Sequence, residues 1–211
     1  MAGILRTTNE SEGDKEMESI IGFDTALIFW IQNHLVTGGL SPLMIGLSTI
    51  GNAGAVWILI GFGLLCSKRY RRAGIAVFIG LAFSLLVGNG ILKHLVMRAR
   101  PCIDYPWMPM LVHAPMATDF SFPSGHTFGA FAAAAALFQG VKRSWGAAAL
   151  ALAAGIGISR IYLFVHYPSD VFAGAVLGIF FGGIAWCLAG KLVSWAKVKN
   201  YYMTKEKTEL Q

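Results

Sequence analysis

Charge is scarce in this chain of 211 residues: 13% are Asp, Glu, Lys or Arg, 55% are hydrophobic, and the mean hydropathy is +0.59. An ordinary soluble domain carries roughly twice that charged fraction, so a cytosolic globule is excluded. Acids are scarcer still through the middle. Five of the eleven (Glu10, Glu12, Asp14, Glu16, Glu18) lie in the first 18 residues, Asp24 follows, and Glu206 and Glu209 are in the tail. Between Thr25 and Lys205 only Asp104, Asp119 and Asp170 remain. Cysteine is limited to Cys66, Cys102 and Cys187, an odd number without metal-ligand spacing, so neither a disulfide framework nor a zinc site is expected. The first residues lack a basic-then-apolar leader, so internal spans are expected to drive membrane entry. There is no internal repeat and no low-complexity tract. The net charge of +6 comes from Lys and Arg at the edges of apolar runs, not along a stripe, so no nucleic-acid partner is expected.

What the chain does have is apolar runs. Residues 41–66 form one, broken by Gly46, Gly51 and Gly54 and followed by Lys68, Arg69, Arg71 and Arg72. Residues 73–92 form a full-length run leading to Arg100-Pro101. A short apolar helix is expected at 126–141, closed by Lys142 and Arg143, and longer ones at 145–165 and 171–190. Residues 23–36 are short and carry Asp24, Gln32, Asn33 and His34, which suits an interfacial helix. Pro101, Pro106, Pro109, Pro115 and Pro123 leave 101–123 as a structured loop without room for a useful helix. The expected fold is all-α: a polytopic integral membrane helix bundle with five or six spans, short loops and one Pro-rich outer loop. Residues 1–18 are expected to be a disordered polar N-terminus, 19–200 a single membrane-embedded domain, and 201–211 a cytoplasmic tail.

The positive-inside rule orients the bundle. With residues 68–72, 142–143 and 191–207 on the cytoplasmic side, the Pro-rich loop and the 160–170 turn meet on the outer face. Lys93, Arg98 and Arg100 then lie on the disfavoured side and need another reason to be there. A short chain without large loops is expected in a bacterial plasma membrane.

Ionisable groups at membrane depth are costly and point to function. Setting aside Arg98 and His94, the stretches Lys93–Pro101, Phe122–His126 and Ser159-Arg160 with His166 and Asp170 supply three cations, a hydroxyl, two imidazoles and one carboxylate, an inventory that fits a phosphate site. Lys93 and Arg100 are expected on one face of a helix that Pro101 ends, about 10 Å apart along its axis. Arg160 comes from another span and can grip phosphate oxygens in bidentate fashion. Ser124, Gly125 and His126 precede an apolar helix, whose N-terminal N–H groups favour an anion. A neutral His166 can attack phosphorus if Asp170 holds its other nitrogen, with Pro168 at the first helical position between them. Asp170 is also placed to stabilise that helix N-terminus. His126 is left to protonate a leaving group and then activate water. Arg98, on another face, is read as snorkelling to the headgroups. His34, His94 and His113 are read as interfacial or loop residues. Asp104 and Asp119 make no carboxylate cluster, so no metal is expected.

Lys93-x6-Arg100-Pro101, Pro123-Ser124-Gly125-His126 and Ser159-Arg160-x5-His166-x3-Asp170 resemble the three-part signature of the type 2 phosphatidic acid phosphatase superfamily. That superfamily also includes vanadium haloperoxidases and glucose-6-phosphatase. The resemblance covers residues 93–170 without a departure in the motifs. It implies a metal-independent membrane phosphatase without a cofactor, with six core helices and its catalytic face outside or in the periplasm. By position, His166 would form a phosphohistidine, Asp170 would be its partner and His126 the general acid. Lys93, Arg100, Ser124, Gly125 and Arg160 would bind the phosphoryl group.

The expected substrate is a lipid phosphate or diphosphate entering from the bilayer, of the phosphatidylglycerophosphate or phosphatidic acid type. The alternative is undecaprenyl diphosphate, although several phosphatases for that lipid carry Asp where Gly125 stands. A non-catalytic protein that binds or moves anionic lipid is a third reading, which a His–Asp pair does not require. A haloperoxidase is disfavoured because those relatives are soluble. In a cysteine-free background, a cysteine placed at Leu111 should react with a membrane-impermeant maleimide in intact cells. One at Ser67 should react only after permeabilisation, and the reverse pattern would invert the orientation.

Overall fold

The hydrocarbon core of a bilayer offers no water to backbone N–H and C=O groups, so the apolar runs satisfy them internally as helices. The computed structural model describes the backbone of residues 12–209 and the side chains of residues 18–199, and no strand occurs among the described residues. In chain order the elements are α1 (Glu12–His34), α2 (Ser41–Ile50), a 3-10 turn (Asn52–Gly54), α3 (Ala55–Leu65) and α4 (Arg71–Phe83). A π-helical segment (Ser84–Leu92), α5 (Lys93–Val96), α6 (Pro101–Asp104), α7 (Gly125–Gly140), α8 (Arg143–Tyr162) and α9 (Pro168–Glu209) complete the bundle. Among the described residues, four stretches are long and apolar enough to cross a membrane: Ser41–Leu65, Arg71–Asp104, Arg143–Tyr162 and Pro168–Lys199. The all-helical membrane fold expected from the sequence is the one observed.

α7 is the centre of the bundle. It packs against α4, α8 and α9, and Phe128, Ala130, Ala132, Ala133, Ala134, Ala136 and Leu137 are all buried. Lipid tails are as apolar as leucine, so helices in a membrane associate through close packing of small residues. α9 meets α7 along Gly174, Gly178 and Gly182. A Cβ on Gly174 would lie 2.8 Å from Ser124 O, one on Gly178 2.7 Å from Phe128 O, and one on Gly182 2.6 Å from Ala132 O. The paired positions rise together, so the two helices run parallel with both N-termini at the same end.

Several local expectations are corrected. Helix α1 begins at Glu12, inside the stretch expected to be disordered, and residues 1–11 lie outside the described residues. α1 continues as one helix to His34, and the reading of residues 23–36 as an interfacial helix is left unchanged by it. The 41–66 run is divided at the 3-10 turn, where Ala53 and Gly54 take φ of 50° and 70°. Lys93 and Arg100 do not share a helix: α5 stops at Val96, and Met97 takes the left-handed conformation with φ 49°. Pro101 starts the single-turn α6 instead of ending a helix, as a residue with fixed φ and no N–H can.

Gly178→Val should destabilise the fold by about 1–3 kcal/mol, the usual cost of overpacking a filled contact. Gly183→Ala, with nothing within 4 Å of its added Cβ, should not. Thermal unfolding of both variants in one detergent checks the difference.

Candidate active site

The site lies where the N-termini of α7 and α9 meet. Ser124 caps α7, its side chain accepting the Thr127 N–H, and its own N–H donates to Asp170 O at 3.1 Å. Pro168 opens α9 with Asp170 in its first turn and His166 just before it, as the sequence predicted. The turn from α8 is sharp. Phe164 sits at φ 59°, a conformation that costs a non-glycine residue free energy. It is held there by burial against Ile28, Cys102 and Tyr167.

Asp170 and His166 are both buried, and His166 Nδ1 lies 3.6 Å from Asp170 Oδ2. Ser121 completes this contact: its hydroxyl donates to Asp170 Oδ2 at 2.5 Å and lies 3.3 Å from His166 Nδ1. The Tyr167 N–H donates to the same carboxylate oxygen at 2.9 Å. On the other side of the ring, Arg100 Nη1 lies 3.0 Å from His166 Nε2. A guanidinium only donates, so Nε2 is the acceptor and the imidazole proton sits on Nδ1. Burial above all pushes the imidazole down to about 3, with the Asp170 hydrogen bond opposing and the Arg100 charge assisting. His166 is therefore neutral at pH 7, with its lone pair directed at Arg100.

Lys93, Arg100, Arg160, Gly125, His126 and His166 all line one cavity of about 820 Å³. Lys93 and Arg100 meet at Asp119, with Lys93 Nζ 2.5 Å from Oδ1 and Arg100 Nη2 2.9 Å from Oδ2. Burial alone would raise the Asp119 carboxyl, but the Lys93 hydrogen bond and the Arg100 charge outweigh it and hold it below the usual carboxylate range. Arg160 donates to Ser48, and its Nε is buried without a partner. His126 Nε2 lies 2.9 Å from Asn52 Oδ1 of the 3-10 turn. Gly125 is required by a close approach: a Cβ there would lie 2.7 Å from Asn89 Oδ1.

All eight residues singled out from the sequence thus belong to one place. Six line the cavity, Ser124 caps the helix beside it, and Asp170 stands behind His166. Arg98 is a correction. It does not snorkel but pairs with Asp24 at 2.6 Å and with Asp170 at 2.8 Å. Asp24 and Asp119 were missed although both belong to the small set of acids near membrane depth, a signal that could have found them. Ser48, Asn52, Asn89 and Ser121 carry no charge and gave none.

The arrangement offers a neutral imidazole backed by a carboxylate, a second imidazole across the cavity, three cations and a helix N-terminus. Such a set can hold a phosphoryl group and transfer it. The sequence profile of the PAP2 superfamily matches residues 73–194. An undecaprenyl-diphosphatase of Sulfolobus acidocaldarius is 32% identical, over 76% of this chain and 76% of its own. A decaprenylphosphoryl-5-phosphoribose phosphatase of Mycobacterium tuberculosis is 34% identical, over 79% of this chain and 91% of its own. The crystal structure of a PAP2 type phosphatidylglycerolphosphate phosphatase from Bacillus subtilis has a TM-score of 0.66 at 25% identity, covering 82% of this chain and 87% of that one.

An incoming anion has to displace Asp119 from Lys93 and Arg100. Asp119→Asn should therefore tighten binding of inorganic phosphate roughly three- to tenfold, about 1 kcal/mol, since the Asp119 side chain is 44% exposed and partly screened. Isothermal titration of the detergent-solubilised variant checks this.

Proposed function

The chain belongs to the PAP2 superfamily, and from that premise we propose that His166 carries a phosphoryl group taken from a membrane lipid. Lipid phosphate hydrolysis in a membrane is the activity of this protein, a helical hydrolase of phosphate esters.

The substrate phosphate takes the place of the Asp119 carboxylate, between Lys93 and Arg100 and within reach of Arg160 and the N-terminus of α7. Arg100 moves from His166 Nε2 onto a phosphate oxygen, which frees the lone pair. Nε2 then attacks phosphorus while the bond to the lipid oxygen breaks, and His126, which enters the step as an imidazolium once the anionic phosphate lies beside it, gives that oxygen its proton and becomes neutral. Asp170 and Ser121 hold the Nδ1 proton and stabilise the positive charge that forms on the ring. In the second half-reaction His126 takes a proton from water, the hydroxide attacks phosphorus, and the phosphorus–nitrogen bond breaks to release phosphate and neutral His166. Preorganised cations stabilise the charge on the equatorial oxygens throughout, which leaves no step that calls for a metal. The contact between His166 Nε2 and Arg100 at the wall of the cavity is the observation that carries this reading.

The lipid tail has its own path. Beyond the charged end, Trp57, Ile58, Phe78, Leu81, Ala82 and Leu85 continue the cavity wall between α3 and the start of the π-helical segment. A phosphatidylglycerophosphate or phosphatidic acid type lipid fits this site. A polyprenyl phosphate or diphosphate is the second reading, favoured by the names of the two relatives. We place residues 19–200 in the plasma membrane as one phosphatase domain, with the cavity facing outside or the periplasm, on the strength of the basic clusters.

Purified protein in detergent and EDTA should release phosphate from at least one of phosphatidylglycerophosphate, phosphatidic acid and undecaprenyl diphosphate. His166→Ala should abolish release, and Arg160→Ala should lower kcat/KM by about 2–4 kcal/mol. No release from any lipid by folded protein would overturn this reading, and the ranking of rates separates the two lipid classes.

A further inference from the structure

α1 lies outside the stretch matched by the family profile, residues 73–194, and none of its described side chains lines the cavity. It nevertheless carries a carboxylate that is completely buried, Asp24. Both of its oxygens are used: Oδ1 accepts the Ser169 N–H at 2.9 Å, and Oδ2 accepts from Ser169 Oγ and from Arg98 Nη2 at 2.6 Å. Arg98 turns its other nitrogen to the reaction side, where Nη1 donates to Asp170 Oδ1 at 2.8 Å and to Ser169 Oγ at 2.7 Å. Its guanidinium lies over the Tyr167 ring, 4.1 Å from the centroid.

The two oxygens of Asp170 are thereby divided. Oδ1 belongs to Arg98, while Oδ2 takes Ser121, the Tyr167 N–H and the His166 side of the site. A planar fork can hold a carboxylate in one rotation in a way a single ammonium cannot. An unbalanced cation at Oδ1 would also drain the negative charge that Asp170 needs to support a positively charged imidazole. Asp24 supplies that balance from α1. Two buried carboxylates bridged by one guanidinium leave one negative charge, and the Asp170 oxygen aimed at His166 is where it acts.

We propose that Arg98 and Asp24 are a positioning pair for phosphoryl transfer: Arg98 fixes the rotation of the Asp170 carboxylate, and Asp24 cancels the charge that Arg98 brings. α1 is then a working part of the active site. The proposal rests on the roles given above to His166 and Asp170.

The test uses the full chain in detergent, with phosphate release from dioctanoyl phosphatidic acid, or from whichever lipid of the panel is turned over. The variants are Arg98→Gln, Arg98→Lys, Asp24→Asn and the double Arg98→Gln/Asp24→Asn, each with its folded fraction followed by thermal unfolding. Arg98→Gln should lose roughly 10–100-fold in kcat, the range seen when a partner behind a reacting group is removed, with KM within about threefold. Arg98→Lys should recover only part of the loss. The double variant should be no slower than Arg98→Gln, because the pair acts as a unit.

The acid limb of the pH profile gives a readout that loose packing alone would not move. The charged or titratable groups facing His166 are Arg100, Arg160 of α8, His126 of α7 and Asp170 of α9, and none of them is altered in these variants. Removing the Arg98 charge strengthens the negative field on His166, so the limb should move to higher pH in Arg98→Gln. Removing the Asp24 charge should move it to lower pH in Asp24→Asn. Opposite shifts support the pair. A kcat for folded Arg98→Gln within about threefold of the parent overturns it, as do limbs that stay put or move together. Should Arg98→Gln fail to fold, Asp24→Asn and the charge-neutral double variant carry the same comparison. Full activity in Asp170→Asn and His166→Ala would instead remove the roles on which the pair rests.

Discussion

Buried charge has to be met by charge, and that requirement organises this bundle. Among the described residues near the site, Lys93, Arg98, Arg100 and Arg160 face Asp24, Asp119 and Asp170, so four cations meet three carboxylates. Removing one partner from such a set leaves a stranded ion, which costs far more than an exposed pair ever gains. The surplus is one positive charge, and it is not spread evenly. Arg98 is fully matched between two carboxylates. Lys93 and Arg100 share one, and Arg160 has a serine hydroxyl and a buried Nε with no partner. The uncompensated field therefore falls on the cavity side of the site, where a phosphate would enter.

The backbone reinforces that field. α7 and α9 run parallel in contact, and both begin at the cavity, so the positive ends of two helices point the same way. The strained Phe164 turn brings His166 up against the mouth of α9 without lengthening the chain. The two dipoles and the imidazole are thus in place before any substrate arrives, and a fixed polar environment is what lowers the barrier to moving charge.

The fold class, and the convergence of those eight residues on one place, were legible in the sequence for a physical reason. Apolar runs report helices directly, and ionisable groups among them are too costly to be incidental. What failed was local geometry. The run from Ala73 to Arg100 carries no proline before Pro101, so nothing in composition announced the π-helical segment or the left-handed Met97 that turns Arg100 back toward His166. Arg98 was misread because helical spacing was extended through that break. Asp24 lies far from the motifs in sequence, and only the docking of α1 brings it to Ser169. Ser48, Asn52 and Ser121 are neutral residues whose importance depends wholly on what folds next to them.

The glycine contact between α7 and α9 has a further meaning. At Gly174, Gly178 and Gly182 the α9 backbone rests on α7 main-chain oxygens and on the Cβ atoms of Thr127, Phe131 and Ala135, none of which can swing aside. His126 rides on the first turn of one helix, and Asp170 on the first turn of the other. The gap between His126 and Asp170 is therefore set by a ruler made of main chain, whose smallest division is a single methyl group. A substitution that lengthens that division by one methyl would move both groups at once, so tuning of this site without loss of its geometry has to come from the loops and lipid-facing surfaces.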